Sequence, residues 1–94
     1  MLYVTHCLDK SDTSSIRQAN HAAHREHLGS APVNIVVAGP LVADDGETPI
    51  GSLFIVEAES QSELEAFHKA DPLWTEGVWG EMRIHAFLKR VDRR

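Results

Sequence analysis

The sequence predicts an α+β fold of the ferredoxin-like type: βαββαβ, an antiparallel sheet with two helices on one face. Three observations predict it. Two apolar runs flank a polar stretch centred on Asp45-Gly46, the pattern of a β-hairpin. A segment with helix start and stop signals lies on each side of that hairpin. Short runs that favour strands open and close the chain.

The elements follow in order. LYVTHCL, residues 2 to 8, is a strand favoured by Tyr3, Val4 and Thr5. DKSDTSS turns the chain and offers Asp and Ser side chains to cap a helix. That helix is predicted over residues 14 to 28, ending at Gly29, a residue suited to a left-handed cap, with Pro32 beyond it. VNIVVAGPLV, residues 33 to 42, is an apolar strand. An interruption is expected near Gly39-Pro40, because proline in a strand requires an edge, bend or bulge. GSLFIVEAE, residues 51 to 59, sets Leu53, Ile55 and Glu57 against Phe54, Val56 and Ala58. Ser60 and Glu63 form a capping box before a second helix carrying Leu64, Phe67 and Ala70 at helical spacing. Asp71-Pro72 ends that helix. LWTEGVWG reads as an aromatic loop or a turn of helix, with Trp74 and Trp79 assigned to core or dimer packing. EMRIHAFLKRV, residues 81 to 91, alternates Met82, Ile84, Ala86 and Leu88 with Arg83, His85, Phe87 and Lys89. The Phe and Val of the third strand are expected to give the sheet an apolar second face. Such a face predicts a sheet-on-sheet homodimer.

Composition narrows the function. With 94 residues the chain has room for one small domain, residues 1 to 94, whose modest burial again favours dimerisation. No window approaches the roughly 20 apolar residues of a membrane span, and MLYVTHCLDK lacks the pattern of a signal peptide. The single cysteine, Cys7, excludes an internal disulfide and fits a reducing, cytoplasmic setting. Within a strand it reads as a packed small residue rather than a nucleophile. A formal charge of −5 argues against a nucleic-acid partner, and the basic KRVDRR end reads as a solvated tail. The glycines are isolated and form no phosphate cradle, so no nucleotide, flavin or haem cofactor is implied.

NHAAHREHL, residues 20 to 28, concentrates three histidines, His21, His24 and His27, in the first helix. On a helical wheel Ile16, Ala19 and Ala23 mark an apolar side. Asn20, His27, Arg17, His24 and Leu28 follow progressively round from it. Arg17, Asn20 and His24 therefore fall at or within the face that meets the sheet, where polar groups need partners or a water-filled pocket. His21 and Arg25 are expected to face solvent. A metal is disfavoured, because HxxHxxH rotates around the helix and no carboxylate or cysteine accompanies it at a ligand spacing.

These residues also carry a resemblance. Arg17 stands seven residues before His24, and Leu28 four after it. Then come Ala38-Gly39-Pro40, Asp44-Asp45-Gly46, Pro49-Ile50-Gly51-Ser52-Leu53, Asp71-Pro72 and Gly77-Val78, in this order over nearly the whole chain. With the opening strand they resemble the YCII-related (YciI-like) family. The resemblance implies a dimeric α/β barrel of ferredoxin-like protomers and a small-molecule enzyme. It implies a site built from a first-helix histidine and the aspartate of the Asp-Pro element, here His24 and Asp71, with Arg17 and Ser52 as neighbours. One branch of the family is similar to dehydrochlorinases of chlorinated hydroxyquinols, and the fold resembles muconolactone isomerase. The sequence departs from the family pattern at His21, where arginine is common, and at His27, where an aromatic is frequent.

The implied chemistry is general acid–base catalysis without a cofactor. His24 would move a proton while Asp71 orients and stabilises the imidazole. Ser52 and backbone amides near Gly39 or Gly51 would hold a substrate oxygen, and Arg17 a carboxylate or enolate. His27 is the second candidate base and otherwise a pocket wall. The alternative is a non-catalytic ligand-binding or accessory dimer. The two differ in whether Asp71 reaches His24.

Overall fold

The computed structural model describes residues 1 to 30 and 32 to 94. The elements run β1 (Leu2–Asp9), α1 (Ser14–Ala19), α2 (His21–Leu28), β2 (Asn34–Val42), β3 (Pro49–Glu57), α3 (Gln61–Lys69), α4 (Pro72–Thr75) and β4 (Trp79–Ala86). The sheet order is β2-β3-β1-β4, with every neighbouring pair antiparallel. This is the ferredoxin-like arrangement expected from the sequence.

Strand alternation fixes the core. Tyr3, Thr5 and Cys7 of β1 stand opposite Val56, Phe54 and Ser52 of β3, and all six are buried. Leu64, Phe67 and His68 of α3, Leu73 of α4 and Val78 and Trp79 close over them. Phe54 and Val56 therefore point toward the helices and not to the sheet's second face as expected. A residue's face follows its parity in the strand, and the partner strand sets which parity points inward. The opposite face carries Val4, Leu53 and Ile55, all half-buried.

The long first helix is broken at Asn20, whose backbone leaves helical geometry at φ −104°, ψ 7°. Its side-chain amide donates to the Ile16 carbonyl at 3.0 Å, competing with the backbone ladder as asparagine does. Gly29 closes α2 in right-handed geometry, φ −79°, so the left-handed cap is not used. The expected apolar side is not the packed one, since Ile16, Ala19 and Ala23 are exposed. Thr13, Arg17, Asn20, His24, His27 and Leu28 face inward instead. Polar partners on other elements outweigh the apolar stripe: Arg17 bonds to Asp9, Gly51 and Ser52 of the sheet, His24 to Asp71 and His27 to the Phe67 carbonyl of α3.

The remaining departures are local. Pro40 sits within β2, opposite Ser52; β2 is an edge strand, where the missing N–H costs nothing. The register breaks instead between Ile35 and Val37 and between Leu41 and Val42. The hairpin turn is held by Asp45, whose Oδ1 accepts from the Glu47 and Thr48 amides, with Gly46 at φ +75°. Ser60 caps α3 by accepting from the Glu63 amide at 3.1 Å, as expected. His68, and not Ala70, completes the buried face of that helix. β4 begins at Trp79 and ends at Ala86, short of the predicted 91; Leu88 and Val91 are exposed. No helix among the described residues is long and apolar enough to cross a membrane.

Candidate functional site

A cleft of about 660 Å³ opens between the first helical segment and the β2–β3 edge of the sheet. One stripe of α1 and α2 lines it, Ser14, Arg17, Gln18, His21, His24, Arg25 and Leu28, at the spacing of a continuous helix face. The sheet side is Ala38, Gly39, Pro40, Pro49, Ser52 and Phe54. The small residues of β2 leave the gap unfilled. An apolar hollow with a few convergent polar groups is the usual form of a small-molecule site.

His24 and Asp71, distant in sequence, meet here, His24 in the cleft wall and Asp71 buried behind it. His24 Nδ1 lies 2.7 Å from Asp71 Oδ2, and Asp71 is fully buried. Asp71 is more than the end of α3. It is also the N-cap of α4, and its Oδ1 accepts from the Leu73 amide at 2.9 Å. Pro72 at the first position of α4 supports that role, since its missing N–H is not needed there. Oδ1 is thus committed to a backbone N–H, and a carboxylate Oδ2 has no hydrogen to give, so His24 Nδ1 is the donor to it. The other ring nitrogen, Nε2, has no partner among the described residues, and His24 lines the cleft. The imidazole is further held by Trp79, edge-on at 5.9 Å, and Phe54 at 6.5 Å.

Arg17 and Ser52 form a second cluster. Arg17 Nε donates to Asp9 Oδ2 at 2.9 Å; its Nη2 donates to the Gly51 carbonyl at 2.7 Å and to Ser52 Oγ at 2.8 Å. Asp9, beyond the bulge in β1, is thereby the counterion of Arg17. Nη1 alone is left without a partner among the described residues. Ser52 Oγ also accepts from Trp79 Nε1 at 3.2 Å. Two donors occupy both lone pairs of the hydroxyl, so its own hydrogen is left for a third partner, and Ser52 lines the cleft. Gly51 is required by close approach: a Cβ there would stand 2.2 Å from the Cys7 carbonyl oxygen. Gly51 keeps β1 and β3 close and sets the height of Ser52.

The other sequence candidates separate. Gly39 lines the cleft. His27, expected as a pocket wall or second base, does not line it. Its Nε2 donates to the Phe67 carbonyl at 2.7 Å and its ring stacks on Phe67 at 4.4 Å, which ties α2 to α3. His21 and Arg25 are exposed as expected, yet both lie along the cleft wall. The Cys7 thiol is pushed up to about 12 by burial, with the Asp71 and Asp9 charges adding to the effect. It remains a protonated core residue at neutral pH, unsuited to nucleophilic attack. Among the described residues no three His, Cys, Asp or Glu side chains gather to hold a metal ion.

These positions coincide with those that carry the family likeness. The family model for the YCII-related domain matches residues 1–88. The chain belongs to the YCII-related family. Among solved structures this YCII-related protein is similar to 5-chloro-2-hydroxyhydroquinone dehydrochlorinase (TftG) from Burkholderia phenoliruptrix AC1100, in complex with 2,5-dihydroxybenzoquinone. The two share 29% sequence identity, 94% of each chain is covered, and the TM-score is 0.82. No match was found among curated proteins.

Three residues of the YCII-related site escaped the sequence reading. Asp9 lies across a turn from Arg17, a pairing that no periodicity marks. Trp79 reads as packing from composition alone, and only the fold shows its N–H on Ser52. His68 sits fully buried behind His24 among Phe54, Phe67 and Trp79, its Nε2 2.9 Å from Thr5 Oγ1. Burial pushes its pKa down to about 4. Its i+3 relation to Asp71 was the available signal.

Proposed function

We propose that the protein is a cofactor-independent lyase or isomerase that moves a proton on a small oxygenated ring. One observation carries this reading: His24 Nδ1 is held at 2.7 Å by a buried aspartate while its Nε2 is left free on the wall of the cleft. In this reading Nε2 removes a proton from a substrate carbon or hydroxyl. Asp71 fixes the tautomer and stabilises the imidazolium that results. The electron pair left behind is held on a ring oxygen that receives hydrogen bonds from the Ser52 hydroxyl and Arg17 Nη1. Its return to the ring either breaks a neighbouring carbon–chlorine bond and expels chloride, the lyase outcome, or takes the proton back from His24 at another ring carbon, the isomerase outcome. Gly39 and the Phe54 edge shape the ring's slot. Trp79 and Asp9 act through Ser52 and Arg17, whose orientations they set.

Family membership supports the reading, as does likeness to a protein described as a dehydrochlorinase and solved with a dihydroxybenzoquinone. The test is direct. The chain is mixed with 5-chloro-2-hydroxyhydroquinone, and chloride release is followed in wild type, His24→Gln and Asp71→Asn. Turnover falling by about 10²–10⁴ in either variant is the expected result. Turnover equal in all three, or ligand bound without turnover, sinks the catalytic reading and favours a binding module.

We further propose that the protein is a homodimer through the open face of the sheet. Val4, Leu53 and Ile55 are half-buried there, and Val37 is 39% exposed beside them. A sheet face of this composition is stabilised by cover. Light scattering should give twice the chain mass for wild type and the chain mass for Ile55→Lys. A monomeric wild type at high concentration defeats the proposal.

A further inference from the structure

We infer that the cleft selects a small anion, and that Arg25 is the residue that does so. The inference rests on the reading of this cleft as the ligand site and adds the charge of the ligand. The chain carries 14 acidic against 9 basic residues, yet no carboxylate lines the cleft. Of the charged or chargeable groups that do, Arg17 is matched by Asp9 and His24 by Asp71, which leaves His21 and Arg25, and of these Arg25 alone is a permanent cation. Arg25 has no ion pair among the described residues. It is an exposed cation one turn beyond His21, on the same wall as His24. An unmatched charge at the edge of a low-dielectric hollow sets the sign of the field inside it.

The opposite wall is apolar, with Ala38, Pro40, Pro49 and Phe54. That combination fits a planar ring bearing one ionised oxygen group. The ring lies against proline and phenylalanine, and the anion turns toward the guanidinium, which binds carboxylate and phenolate oxygens in a forked geometry. A neutral ring of the same shape gains the wall contacts but nothing from Arg25.

The experiment compares benzoate with benzamide, which match in shape and differ in charge. Each is titrated into the full chain, and amide shifts of cleft residues are followed by NMR in wild type, Arg25→Gln and Arg25→Lys. Glu26→Gln, next in sequence and outside the cleft lining, is the control. Benzoate should bind wild type on the order of tenfold more tightly than benzamide, the scale of one charge-assisted hydrogen bond. Added salt should shrink the preference. Arg25→Gln should lose most of the benzoate preference, Arg25→Lys should keep most of it, and Glu26→Gln all of it. Equal binding of the two probes to wild type overturns the inference. So does an anion preference undiminished in Arg25→Gln. Because binding is read without turnover, a failed catalytic reading with an intact anion preference is told apart from the reverse.

Discussion

Replacing Asp71 by asparagine changes a single atom type and should invert the tautomer of His24. Asn Oδ1 can still accept from the Leu73 amide, so the α4 cap is kept. The amide nitrogen then occupies the place of Oδ2, 2.7 Å from His24 Nδ1. Two donors cannot face each other there. Leaving a buried donor unpaired costs about 1–3 kcal/mol, which favours the opposite tautomer by roughly fivefold to over a hundredfold. Nδ1 then becomes the acceptor and Nε2, facing the cleft, carries the hydrogen. A proton already on Nε2 removes its capacity as a base, and the carboxylate that would stabilise the imidazolium is gone. Where the same substitution is made behind a catalytic histidine elsewhere, the loss is on the order of 10⁴. The assay needs no substrate: long-range ¹⁵N–¹H correlation of the imidazole, at or slightly above neutral pH, reports which nitrogen is protonated. Wild type should show Nδ1–H and the variant Nε2–H, with unchanged far-UV circular dichroism. An unaltered tautomer in the folded variant would refute the reasoning.

Three further outcomes follow from the same packing. His68 is neutral in the fold, with its pKa lowered from 6.5 to about 4, so the unfolded chain takes up a proton over that range and the folded chain does not. Its contribution is complete above about pH 6.5 and is lost as pH falls toward 4, on the order of 3 kcal/mol in all. Urea titrations should show a shallower acid slope for His68→Gln than for wild type, and parallel slopes would contradict this. Gly51→Ala puts a methyl 2.2 Å from the Cys7 carbonyl and 3.1 Å from Leu41 Cδ1. Urea unfolding should register a loss of about 3 kcal/mol, the upper range for overpacking; a loss under about 1 kcal/mol would contradict it. Cys7, fully buried with its thiol held protonated, should stay unlabelled by a disulfide reagent in the folded protein at mildly alkaline pH and react at once in denaturant. Rapid labelling of the native chain would count against it.

Periodicity and punctuation were enough to order the elements. Alternation marks the strands, Asp45-Gly46 the hairpin, and Ser60 with Glu63 the start of α3, because each of these signals acts over a few residues. The same locality explains the errors. Nothing within residues 14 to 28 states that Asn20 bends the segment or that its polar side packs inward. The bonds responsible run to Asp9, Gly51, Ser52 and Asp71 on other elements. The face taken by Phe54 departs from expectation for a like reason, since alternation gives two faces and no preference between them.

By itself the sequence determined the fold class and the family likeness, and it was that likeness which singled out His24 and Asp71 as the candidates for chemistry. Tertiary structure alone decided that the two meet with one imidazole nitrogen left free. It also decided that Arg17 is engaged by Asp9, that Ser52 has only its hydrogen to offer, and that His27 serves packing. The physical reason is distance along the chain. Propensity and pattern are set by neighbours in sequence, whereas hydrogen bonds between side chains depend on which strands and helices come to lie side by side.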